Sequence, residues 1–147
     1  MKRHTARQQA LEILFSREFH DTNDIQYKER EILEQDFITH ADFETHTTAI
    51  EPAESSYCQY LIDTTTTHKE ELDTIIQTYA KGWDVSRMNR TDRNIMRLAL
   101  CELVYPQEPL PPSVVLNEAV LLAKEYSGQK SARFINGILG AYVKAKG

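Results

Sequence analysis

The sequence predicts an all-α protein of about seven helices in two packed sub-bundles. Apolar residues recur at three- and four-residue spacing through most of the chain. No segment sustains the alternation of a strand, and no internal repeat points to a solenoid or propeller. The 147 residues suffice for one domain, which at this size buries roughly 68–70% of the surface its unfolded chain exposes. The sub-bundles are expected to span roughly 1–67 and 68–147, with a waist near 68–82.

The first helix is expected from Thr5 to about Phe19, where Ala6, Ala10, Leu11, Leu14, Phe15 and Phe19 share a face. Thr5 and Gln8 have the spacing of a capping box. Tyr27, Ile32, Leu33 and Phe37 mark a weaker amphipathic helix over 26–38, and the polar run 39–51 reads as a loop. Pro52 suits a helix start, with Tyr57, Tyr60, Leu61 and Thr64 on its face. The β-branched run Thr64–Thr67 weakens that helix and places a break near His68. Leu72, Ile75, Ile76 and Tyr79 define the next helix, which stops near Gly82.

Thr91 reads as the N-cap of a further helix, with Asp92 favourably set against its dipole. Ile95, Met96, Leu98, Ala99 and Leu103 form its buried stripe. Pro106, Pro109, Pro111 and Pro112 make a stiff connection. The helix from Ser113 or Val114 to Tyr126 is apolar around most of its circumference, which predicts a central position. Gly128 ends it, and Ser131 is placed to cap the last helix, which runs to about Ala145.

The formal charge of −5 hides an uneven distribution. Residues 1–20 carry +2, residues 21–75 carry −11, and residues 76–147 carry +4. The total argues against a polyanionic partner, whereas the distribution permits one. Cys58 and Cys101 stand far apart, outside any CxxC pair and among apolar residues. They are expected to pack as free thiols in a reduced, cytoplasmic protein. The N-terminal cations are followed by Gln8, Gln9 and Glu12 rather than an apolar run, so no signal peptide is expected. No stretch reaches the ~20 apolar residues of a membrane span.

Catalytic signatures are missing. The sequence holds no glycine-rich phosphate loop, no GxSxG elbow and no evident catalytic dyad, so neither enzyme activity nor a cofactor is expected. His40, Asp42, Glu44 and His46 carry metal-ligand chemistry, but no second set of ligands accompanies them and no metal site is expected. Trp83 after Gly82 reads as a cap over the junction between sub-bundles, with stacking on RNA as the alternative.

The cations Lys2, Arg3, His4 and Arg7 crowd the start of the first helix. At about 100° per residue, Arg3 and Arg7 lie about 40° apart, with Leu14 between them in projection. They therefore continue the apolar column rather than occupy the opposite face. A frayed terminus and a phosphate-binding arm projecting beyond the core both fit that placement. Should the arm not contact RNA, the remaining cations to consider are Arg87, Arg90, Lys130 and Arg133.

The stretches TDRNIMRLALCEL (91–103), PSVVLNEAVLLAKEYS (112–127) and SARFINGILGAYV (131–143) follow one another closely, and ARQQALEILF (6–15) opens the chain. Together they resemble the NusB family of bacterial transcription antitermination factors. The resemblance is specific over 91–143, good over 1–19 and loose over 20–80. It implies a non-catalytic adaptor that binds single-stranded boxA-type RNA together with the ribosomal protein NusE. Other Nus factors and RNA polymerase would be engaged indirectly, with no membrane partner. By that resemblance Lys2, Arg3, His4 and Arg7 occupy the RNA surface. Phe15, Asp92 and Arg93 are expected to face NusE.

Asn117, Glu118, Asn136 and Gly137 match the family's signature and are expected to be structural. A glycine within a helix costs ~1 kcal/mol relative to alanine, so Gly137 is expected at a close helix crossing, with Asn136 satisfying buried backbone groups. Two alternatives come from other classes. One is the related accessory domain of rRNA (cytosine-5) methyltransferases, for whose catalytic domain a chain ending at Gly147 is expected to leave no room. The other is a protein-only adaptor without RNA affinity.

Overall fold

A computed structural model describes residues 2–18 and 52–146. The helix expected over 26–38, the loop 39–51 and the His40–His46 cluster lie outside the described residues. Among the described residues are six α-helices and one 3₁₀ turn, and no strand. They are α1 (Lys2–Arg17), α2 (Pro52–Thr67), α3 (Lys69–Tyr79), the 3₁₀ turn Val85–Arg87, α4 (Arg90–Val104), α5 (Pro112–Tyr126) and α6 (Gln129–Lys146). The all-α class is as expected. The chain divides into two compact units, Met1–Ile62 and Asp63–Gly147, and the boundary falls inside α2.

In the first unit, α1 buries Ala6, Ala10, Leu11, Ile13 and Leu14, while α2 buries Tyr57, Cys58, Leu61 and Ile62. The helix begins at Lys2, upstream of the expected start, so Thr5 lies inside it rather than capping it. The upstream turn has a reason to be helical, because Arg3 and Arg7 must share one face to reach the ring of Tyr57.

The second unit is built around α4. Residues 92 and 94–102 of this helix are all buried, with α5 and α6 packed on it and on each other, and α3 on α4 and α6. Leu72 and Ile76 of α3, Leu122 and Ala123 of α5, and Ile135 and Leu139 of α6 complete the core. The central helix is therefore α4, not α5. On α5, Val114 and Leu121 remain exposed, and the buried face is Val115, Ala119, Leu122 and Ala123. The apolar circumference of α5 misleads because a helix can leave large apolar residues in water. The polar residues of α4, by contrast, can be buried when they are paired.

Those pairs are explicit. Arg97 donates from Nε to Asp73 Oδ1 at 2.7 Å and from a terminal nitrogen to Asp73 Oδ2 at 2.8 Å, a bidentate bridge from α4 to α3. Its other terminal nitrogen donates to Asn94 Oδ1 at 3.1 Å, and Asn94 donates to the carbonyl of Arg90 at 2.9 Å. The break at His68 occurs as expected, with Thr64–Thr67 still helical before it. The imidazole stacks on Tyr105 at the end of α4, ring centroids 4.0 Å apart. Tyr105 in turn donates its hydroxyl to Glu71, which holds the phenol above its ordinary range. Cys58 and Cys101 are buried and form no disulfide.

Candidate nucleic-acid interface

The first turn of α1 is less open than its charge suggests. The Arg3 guanidinium lies 3.8 Å from the centroid of the Tyr57 ring, and that of Arg7 lies 5.9 Å from it. Arg7 is only 4% exposed, whereas Arg3 and His4 are half-buried. The expectation that these cations all project past the core is corrected for Arg7, which belongs to the interior. Two arginines four residues apart repel each other on an isolated helix. The negative face of an aromatic ring attracts both, so Tyr57 offsets that repulsion.

The charge-dense start of α4 also turns inward. Asn89, not Thr91, is the N-cap, because its side-chain oxygen accepts from the backbone N–H of Thr91 at 2.7 Å and of Asp92 at 3.2 Å. Asp92 is 6% exposed. Its carboxylate accepts the hydroxyl of Ser127, at the end of α5, and the hydroxyl of Ser131, in the first turn of α6, each at 3.0 Å. One buried carboxylate thus ties three helix ends together. Asp92 is thus engaged within the fold, and Ser131 lies inside α6 rather than capping it as expected. Arg93 is half-buried and donates to the carbonyls of Val85 at 3.1 Å and Ser86 at 3.3 Å, which holds the 3₁₀ turn against α4. Phe15 is half-buried on α1.

The open cationic face lies elsewhere. Gly82, with φ of +83°, turns the chain after α3 in a conformation that favours glycine. Gln77 then accepts from the backbone N–H of Val85 at 3.0 Å, fixing the turn. Asp84 caps the 3₁₀ turn by accepting from the hydroxyl and the backbone N–H of Ser86, which hold its carboxyl below the usual range. The result presents Trp83 to solvent at 58% exposure. Its ring meets Phe134 of α6 edge to face, centroids 5.2 Å apart at 70°. Trp83 is therefore no buried cap.

This aromatic pair borders two grooves. One, of about 260 Å³, includes Arg87, Asn89 and Lys130 in its lining. The other, of about 760 Å³, includes Lys81, Arg133 and Gly137. Arg87, Arg90, Lys130 and Arg133 are all exposed. Sequence reading singled out these cations but missed the partnership of Trp83 with Phe134. The available signal was an aromatic next to Arg133, preceding the exposed Asn136.

The signature residues depart from their expected packing. Asn117, Asn136 and Gly137 are exposed and Glu118 is half-buried. Among the described residues, a Cβ added at Gly137 would meet nothing within 4 Å, so none of the described helices crosses closely there. The position lines the larger groove. No group of metal-ligating side chains occurs among the described residues.

Fold and surface together define a class: a small helical protein whose open face of lysine, arginine and paired aromatic rings suits a polyanion. The chain belongs to the NusB family, whose sequence profile matches residues 4–144. It is 35% identical over 98% of its length to the transcription antitermination protein NusB of Elusimicrobium minutum (strain Pei191), covering 94% of that protein. Among solved structures it is similar to the antitermination factors NusB and NusE in complex with double-stranded RNA. That match has a TM-score of 0.77 and 27% identity, over 98% of this chain and 97% of the other. The solution structure of NusB from Aquifex aeolicus matches with a TM-score of 0.71 and 29% identity, over 99% of this chain and 89% of the other. Among the described residues no helix is long and apolar enough to cross a membrane.

Proposed function

We propose that this protein is a cytoplasmic transcription antitermination factor that binds single-stranded boxA-type RNA together with NusE. It acts by binding rather than by catalysis. Membership of the NusB family supports the role, and likeness to a NusB–NusE complex with RNA supports the partners. The observation that carries the RNA reading is the exposed Trp83, set against Phe134 between cation-lined grooves. Aromatic rings take up unstacked bases, and flanking lysine and arginine side chains meet phosphates. Arg3 and His4 at the start of α1 supply a further phosphate contact in the first unit. Phe15, Asp92 and Arg93 are the contacts proposed for NusE, with the Asp92 carboxylate and the Arg93 guanidinium also engaged within the fold.

Filter binding to a boxA-type RNA, with and without NusE, tests this. RNA alone should bind weakly, and NusE should tighten it by about 1–3 kcal/mol of coupling. Combining Lys130→Ala with Arg133→Ala should reduce the slope of log affinity against log salt by about 1.4, from ~0.7 per phosphate on a single strand. An unchanged affinity and slope in that double variant would remove this face from the RNA site. RNA binding undetectable even with NusE would leave a protein-only adaptor.

A further inference from the structure

We propose that Tyr57 is a positioning residue for RNA binding, holding the Arg3 guanidinium in the geometry that meets a phosphate. The inference rests on the reading of the α1 start as a phosphate contact. Tyr57 is 1% exposed and cannot touch a ligand itself. The half-buried Arg3, whose guanidinium carbon sits over its ring at 3.8 Å, carries its influence to the surface.

The chemistry of the two faces of a guanidinium makes this stacking productive. The ring engages the flat face of the cation, while the N–H donors radiate in its plane. A phosphate accepts two such in-plane donors at once. A stacked arginine thus has its plane set before the ligand arrives, and less side-chain freedom is lost on binding. The second guanidinium, Arg7 at 5.9 Å, lies within the range of the same ring. It is buried at 4% exposure. Lysine at position 3 would supply the charge without the plane.

The test compares Arg3→Ala, Tyr57→Leu and Tyr57→Phe, and both leucine and alanine changes combined, by RNA filter binding across a salt series with the thermal midpoint of each. Arg3→Ala should weaken RNA binding and flatten the salt slope by about 0.7. Tyr57→Leu should weaken binding by about two- to fivefold, the span of an exposed cation–π contact, yet leave the slope intact because no charge is lost. Tyr57→Phe should retain wild-type affinity. In the Arg3→Ala background, Tyr57→Leu should have no further effect on RNA.

Because a leucine at a buried site can loosen the fold, progressively fluorinated phenylalanines at position 57 give a second series of nearly constant shape. Affinity should fall stepwise as fluorine drains the ring face. A loss that persists in the Arg3→Ala background, or an affinity indifferent to fluorination, would overturn the positioning role alone. An Arg3→Ala variant with unchanged affinity and slope would overturn the α1 phosphate contact and the positioning role with it.

Discussion

The first turn of α1 and the face around Trp83 both set cations beside aromatic rings, with opposite accessibility. In α1 the ring is the buried partner, Tyr57 being 1% exposed, and Arg7 is buried 5.9 Å from its centroid. Around Trp83 the rings are the exposed partners, and Lys130 and Arg133 stand in solvent. A cation buried beside such a ring, as Arg7 is, spends much of its interaction on the fold. A cation beside an exposed ring keeps it for a ligand. The difference lies in which member of the pair the core claims, and helical spacing of the cations alone does not reveal it.

Arg7→Ala should break that contrast most strongly. Removing a buried, ring-facing guanidinium forfeits packing of its stem and leaves its surroundings uncompensated, and we expect a loss of about 2–4 kcal/mol. Urea denaturation checks this. A midpoint within error of wild type would return Arg7 to the solvent-facing arm. Trp83→Ala should do the reverse. Its RNA affinity should fall by about 1–3 kcal/mol, the usual worth of stacking one base, with little change in thermal midpoint because the ring is mostly in water. Equal losses of stability and affinity would make Trp83 a structural residue.

Gly137 sharpens the comparison on the side of the exposed face. An alanine there meets open space, so Gly137→Ala should stabilise the protein by roughly 0.5–1 kcal/mol through helix propensity. A destabilised variant in calorimetry would restore the close crossing expected from sequence. The smallest effect concerns the His68 break. Tyr105 donates to Glu71, and this bond raises the phenol pKa in the folded state. The stabilisation is therefore present below the unfolded tyrosine pKa, about 10, and is lost as pH rises through the folded value. In Tyr105→Phe that part of the alkaline slope should vanish. An identical profile above about pH 10 would show the contact contributes nothing.

Much of the helical layout follows from local sequence. The boundaries near Pro52, His68, Pro112 and Gly128 occur where a ring-locked φ, a β-branched run or a glycine sets them. The apolar stripes of α1, α3 and α4 recur at helical period because one face of each must leave water. The family motifs over 91–143 lie on α4, α5 and α6. None of this needs a neighbour to be known.

Which side chains the neighbours claim was decided only in three dimensions. Asp92 looks exposed in a charge-rich run, yet it is buried because serines arriving 35 and 39 residues later satisfy both oxygens. Arg97 enters the core because Asp73 waits across the helix interface. Val114 and Leu121 stay in water because α4 took the central place. Trp83 and Phe134 meet across 51 positions of chain, as their 5.2 Å separation records. Periodicity reports how a helix partitions its own surface. The burial of a charge depends on a partner from another helix to replace lost water, and that partner is specified by packing.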